Sequence, residues 1–162
     1  MRRKFGKILS EIAKKDKKIF LLVGDIGFGI FDDFRKEHPD RFLNLGICEQ
    51  SLIGFASGMA LEGLKPWVYT ITPFLIERPF EQVKLDIDQQ KANVKLVGFA
   101  DYPSLGPSHS ELDAKRTMKL FKNIKSFFPK NSHETKKATL RCSKVKGPTF
   151  ISLKTDKMLK NW

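Results

Sequence analysis

Cysteine is scarce in this sequence: Cys48 and Cys142 are the only two among 162 residues. They stand far apart and match no metal-ligand spacing, which excludes a cysteine-based metal site and leaves buried free thiols as the expectation. Long apolar runs are also missing, and no segment approaches the ~20 uninterrupted apolar residues that a membrane-spanning helix needs. No membrane contact is expected. There is no internal repeat, no low-complexity segment and no linker. Acidic residues are few beside basic ones, 18 against 30, for a net charge of +12. That balance admits a nucleic-acid partner. However, the lysines are spread along the chain, with no tight basic run interleaved with aromatics and no zinc, RRM or KH signature. A solvated lysine-rich surface is the favoured reading, followed by an anionic ligand or an acidic protein partner.

What is present suffices for a core. With 41% hydrophobic residues, 14 of them phenylalanine, the chain fits a single domain over residues 1–162. The opening "MRRKFGKILSEIAKKDKK" has basic residues ahead of apolar ones. Yet Phe5, Ile8, Leu9 and Ile12 recur at helical spacing with charges between them, unlike the unbroken apolar stretch of a signal peptide. It reads as the amphipathic first helix of a cytoplasmic protein.

Strands and helices then alternate. "KIFLLVGD" (18–25) has the pattern of a buried parallel strand. A short helix over 30–41 stops before Pro39. "FLNLG" (42–46) predicts a second strand, 49–62 a helix ending at Gly63, and "KPWVYTI" (65–71) a third strand. Pro73 opens a helical stretch over 74–90, in which Pro79 predicts a kink or two abutting helices. "VKLVGFA" (94–100), "IKSFFP" (124–129) and "PTFISLK" (148–154) predict further strands. Helices are expected around 111–121 and over 132–142. The alternation predicts a three-layer α/β/α domain with a mostly parallel sheet. Ligands of such folds sit where strand ends run into helices.

"GDIGFG" (24–29) is not a dinucleotide fingerprint, because its glycines fall at the wrong spacing and only a short helix follows. Nor is it the start of a magnesium–diphosphate motif, since Ile26 stands third and no asparagine pair follows. It is left as a strand-end turn carrying Asp25. "NLGICEQ" (44–50) is more specific. Glu49 in the first turn of a helix can simply complement the helix dipole. The helix behind it, however, is nearly all small or apolar, with Gly54 and Gly58 one turn apart on one side. Such a helix is expected to pack against a second chain. A carboxyl at its mouth would be shielded from water, a setting suited to proton transfer.

The stretch "RFLNLGICEQSLIGFASGMALEGLKPWVYTITPFLIERPFEQVKLDI" resembles the pyrimidine-binding domain of transketolases and deoxyxylulose-phosphate synthases. It keeps Gly46, Ile47, Glu49 and Gln50, then Gly63, Lys65, Pro66, Phe74, Leu75, Arg78 and Gln82. With "VKLVGFA", "LGPSH" and "GPTFISLK", the resemblance covers essentially all of residues 5–156. It implies the fold of that domain and a role for Glu49 at N1′ of the aminopyrimidine of thiamine diphosphate, where it activates the cofactor. It also implies that Phe74 stacks on the pyrimidine face; a core position is the plain alternative. Ile47 and Asp25 are implied as cofactor contacts. Arg78 either helps position the ring or forms an ion pair with Glu77 or Glu81. His109 matches a loop histidine that reaches the reacting carbon or the substrate oxygens, although "HSELDA" places Glu111 and Asp113 where the family has a Glu-Asp pair.

The resemblance further implies that this module holds only half of the cofactor. Magnesium and the diphosphate would be bound by a separate subunit, giving a homodimer or a heterotetramer acting on sugar phosphates or related ketoses. No metal ligand is assigned to this chain. The alternative is a non-catalytic binding or scaffold protein that retains the fold and uses its basic surface for an anionic partner.

Overall fold

Five consecutive apolar residues between Lys18 and Gly24 form β1 (Ile19–Val23), which is buried along nearly its whole length. A strand with neighbours and helices on both sides must be apolar on both faces. In the computed structural model, which describes residues 1–99, 105–110 and 113–154, β1 is joined by β2 (Phe42–Asn44), β3 (Lys65–Ile71), β4 (Lys95–Phe99), β5 (Lys125–Phe127) and β6 (Thr149–Leu153). The six strands form one sheet in the order β2-β1-β3-β4-β6-β5, and every pairing is parallel.

Two apolar cores flank this sheet. On one face α1 (Arg2–Lys15) and α7 (Ser132–Lys144), with α2 (Asp32–Glu37), contribute Phe5, Leu9, Phe34 and Cys142 against Trp67, Tyr69, Phe99 and Ile151. The Phe5, Tyr69 and Phe99 rings stack in sequence, with centroids 6.1 and 5.6 Å apart. On the other face α3 (Glu49–Leu61) and the helical segments after β3 bury Leu52, Ile53, Ala56, Leu75 and Ile87 against Leu22, Val68, Leu96 and Phe150. Strand residues therefore serve the two layers alternately, as the period of a strand requires.

Pro79 divides the stretch after β3. α4 (Thr72–Ile76) ends before it, and α5 (Phe80–Gln82) starts after it and runs on as a π-helical stretch, Val83–Gln89. The ring nitrogen of Pro79 has no proton to donate, while its carbonyl accepts from the Val83 amide at 2.8 Å; hence two helices rather than one. The helix expected around 111–121 is shorter. Its described part is α6 (Ala114–Thr117) followed by a 3-10 turn, Met118–Leu120. Asp113 caps it by accepting from the Arg116 amide at 3.0 Å, and Glu111 lies outside the described residues. Cys142 is buried as expected, but Cys48 is only half-buried, its thiol donating to the Leu45 carbonyl at 2.9 Å.

The chain leaves β1 for β2 on one side of the sheet and builds all later strands on the other. The loops at the carboxyl ends of β1 and β3 consequently diverge and open a crevice between them.

Candidate functional site

The crevice is framed by three strand exits. β1 ends at Val23, and a Cβ added at the following Gly24 would lie 3.3 Å from the Thr70 hydroxyl, a tight contact. Glycine keeps the floor low at this point. The next residue, Asp25, takes a left-handed backbone conformation, φ 52°. β2 ends at Asn44, and the turn beyond it passes through Gly46 at φ 77°. β3 runs directly into α4, which carries Phe74.

Glu49 opens α3 and is only 5% exposed. Its partner among the described residues is Arg78, whose Nη1 donates to Oε1 at 3.3 Å and to Oε2 at 3.2 Å. The Arg78 guanidinium carbon in turn stands 3.2 Å from the centroid of the Phe74 ring. Phe74 meets the His109 imidazole edge-on, with centroids 4.8 Å apart. Three segments distant in sequence are thus joined in one line of contact: Glu49, Arg78, Phe74, His109. Of the alternatives for Arg78, an ion pair is present, and the partner is Glu49 rather than the expected Glu77 or Glu81. The Ser108 hydroxyl lies 3.1 Å from His109 Nδ1 and steadies the ring.

Beside this line lies a cleft of about 180 Å³ lined by Asp25, Ile47, Thr70, Ile71, Phe74 and His109, among others. Of the six residues singled out in the sequence, four line the cleft, and Glu49 and Arg78 flank it through Phe74. The volume is below the roughly 300–1,000 Å³ of pockets that enclose a whole drug-sized ligand, so it suits one planar ring of a larger molecule. Ile47 is 71% exposed at its mouth. A second pocket of about 330 Å³ adjoins it, lined by Phe28, Phe31, Asp32, Arg35, Phe42 and Asn44, among others. Asn44 escaped the sequence reading. Its signal was the Asn-x-Gly spacing of "NLG", in which a side-chain oxygen can accept from the amide two residues on. Among the described residues no group of three or more His, Cys, Asp or Glu could hold a metal ion, and no helix is long and apolar enough to cross a membrane.

Comparison with known proteins yields a consistent picture. Residues 1–159 match the family model for the transketolase pyrimidine-binding domain. The chain is 41% identical over 123 residues to a subunit of apulose-4-phosphate transketolase from Actinobacillus succinogenes, covering 74% of this chain and 40% of that one. It is 33% identical over 154 residues to the likewise named subunit from Phocaeicola vulgatus, covering 93% and 49%. It thus spans half or less of the length of these relatives. A split-gene transketolase solved as an inactive beta4 tetramer superimposes with a TM-score of 0.85 at 30% identity, covering 94% of this chain and 50% of that one. The transketolase of Campylobacter jejuni shares the fold, with a TM-score of 0.79 at 20% identity over 94% of this chain and 25% of that one. The matched domain, the level of identity and the shared six-stranded sheet agree, and the chain belongs to the transketolase pyrimidine-binding domain family.

Proposed function

We propose that this chain is the pyrimidine-binding part of a split transketolase-like enzyme that transfers a ketol unit between sugar phosphates or related ketoses. The observation that carries the reading is the position of Glu49: a carboxylate 5% exposed at a helix mouth, tied through Arg78 to the aromatic wall of a ring-sized cleft. The residues fit thiamine diphosphate. The glycine floor at Gly24 and the apolar side chains of Ile47, Ile71 and Phe74 suit a flat ring, and the cleft holds a ring but not a diphosphate tail. When bound, the cofactor supplies the electron sink that carbon–carbon bond cleavage needs.

In this reading Phe74 and Ile47 would pack against the ring in the cleft. Glu49, which stands beside the cleft rather than in its lining, would hold a proton at the aminopyrimidine in the site that the partner subunit completes. Arg78 keeps the Glu49 carboxylate in place. His109 and Asp25 both line the cleft and would offer the ligand polar contacts. The diphosphate and its magnesium belong to a partner subunit, in keeping with relatives that are named as subunits of a transketolase. The working assembly is then a homodimer of this chain or a heterotetramer with that partner.

Calorimetric titration of thiamine diphosphate with magnesium, into this chain alone and into its mixture with a diphosphate-binding subunit, tests the reading. Heat of binding in the mixture, with turnover lost in Glu49→Gln, is the expected result. No binding in the mixture, with a competent partner, would sink it and favour a scaffold role for the fold.

A further inference from the structure

We propose that Asn44 is the positioning residue for Asp25: its side-chain amide ties the exits of β1 and β2 together and thereby aims the Asp25 carboxylate into the cleft. The inference rests on the reading of that cleft as a cofactor site, and adds to it a residue outside the line from Glu49 to His109.

Three hydrogen bonds converge on the one amide group. Asn44 Oδ1 accepts from the Asp25 backbone N–H at 3.0 Å and from the Gly46 N–H at 3.1 Å. Its Nδ2 donates to Asp25 Oδ1 at 3.0 Å. Asp25 is therefore held twice, at its backbone and at its carboxylate, by the same side chain. Both residues gripped through their backbone are left-handed, Asp25 at φ 52° and Gly46 at φ 77°. Aspartate enters that conformation more readily than most non-glycine residues, and the bonds to Asn44 hold it there. Register explains why Asn44 can do this: Val23 pairs with Asn44, so the first residues beyond β1 pass beside this side chain.

An amide suits this place. Its donor and acceptor on one short planar head serve two backbone N–H groups and a carboxylate at once. A carboxylate at this position would still accept from the two amides, but it would face Asp25 with like charge. The other charged groups nearby are Asp32 and Arg35, which line the adjoining pocket with Asn44; the titratable His109 lines the same cleft as Asp25. Asp25 Oδ2 accepts nothing from the described residues and is left for a ligand bearing an amino or hydroxyl donor.

A purely structural Asn44 would end β2 through its bond to Gly46 and have no further effect on the ligand. Exchanging the two side chains separates these roles. Three measurements apply to each variant: affinity for thiamine diphosphate with magnesium in the mixture with the diphosphate-binding subunit, the urea midpoint of the chain, and amide hydrogen exchange at Asp25 and Gly46. N44D should weaken affinity on the order of tenfold, because the Asp25 carboxylate loses its bond from Nδ2 and meets a like charge. It should lower the midpoint, while the amides of residues 25 and 46 keep an acceptor and stay protected. D25N/N44D rebuilds an amide–carboxylate pair with the roles exchanged. It should recover the midpoint, but not the affinity, because the carboxylate has left the cleft wall. Affinity of N44D within about twofold of the unaltered protein, less than one hydrogen bond is worth, would overturn the inference. So would recovery of affinity together with stability in the double variant. If the unaltered protein fails to bind, the reading of the site falls and this inference falls with it. Normal binding by the unaltered protein with N44D unaffected defeats the inference alone.

Discussion

Arg78 bridges the two halves of the site: its Nη1 lies 3.2 Å from Glu49 Oε2, and its guanidinium carbon lies 3.2 Å from the Phe74 ring centroid. The two contacts use different properties of one group. The in-plane N–H donors reach the carboxylate, and the flat cationic face lies on the π-cloud. A buried carboxylate is costly without such a partner. The fold therefore brings together two segments 29 residues apart at this point.

Substitution of Glu49 by glutamine keeps an oxygen that can accept from Arg78 and removes the capacity to hold a proton at the ligand. In the reconstituted complex, turnover should fall at least about 100-fold, within the range for general acid–base groups. The urea midpoint of the chain alone should stay close to that of the unaltered protein. A mutant that keeps more than about a tenth of the activity would remove Glu49 from the chemistry.

Arg78→Ala leaves Glu49 shielded from water and without its partner. A loss of about 1–3 kcal/mol is expected from equilibrium unfolding, smaller than for a fully buried pair because Arg78 has a side-chain exposure of 36%. Arg78→Lys restores charge but not the planar contact with Phe74, so its stability should fall between the two. Equal stability of the alanine variant and the unaltered protein would show that the pair contributes nothing.

The limits of the sequence as a guide follow from these same residues. β3 was legible residue for residue, because β-branched and aromatic side chains between two turn signals fit a pleated surface. The break at Pro79 was legible because proline lacks a donor. The partner of Arg78 was not, since nothing local marks a contact 29 residues away. Nor was the left-handed Asp25, whose backbone N–H donates to an asparagine from a neighbouring strand. The π-helical stretch Val83–Gln89 also escaped. Within it, Asp88 accepts from the amides of Lys122, Asn123 and Ile124, a pairing that only the folded sheet brings about.

Lys95 gives the fold a pH signature away from the site. It is 1% exposed and donates to the carbonyls of Val145 and Gly147 at 2.8 and 2.6 Å. Burial pushes it down from 10.5 to about 8. An unfolded lysine titrates near 10.4, so between about pH 8 and 10 the unfolded chain binds more protons and stability should rise with pH. The shift corresponds to roughly 3 kcal/mol as an upper bound. Cys142 acts in the opposite direction: burial raises it to about 11 from 9.0, so stability drains away as pH climbs above 9. Cys142→Ala removes that opposition, and its urea midpoint should climb from pH 7.5 to 9.5. A flat or falling profile in that variant would show that Lys95 is not desolvated.

The outer face of α3 provides a test in which stability and assembly move in opposite directions. Gly54 and Gly58 are exposed there, and a Cβ added at either would meet nothing within 4 Å. Phe55 and Leu61 on the same helix are 47% and 66% exposed. Within one chain, glycine at such positions only weakens the helix, and Gly→Ala should stabilise it by about 0.8–1 kcal/mol. Two glycines one turn apart gain a purpose if a second backbone approaches closely, as the proposed assembly requires. Gly54→Ala and Gly58→Ala should then raise the thermal midpoint of the dissociated chain while shifting sedimentation toward smaller species. Added methyl groups hold the facing surfaces apart, and packed interfaces do not absorb such volume without loss. Higher midpoints with unchanged sedimentation would leave this face to solvent and move the contact between copies elsewhere.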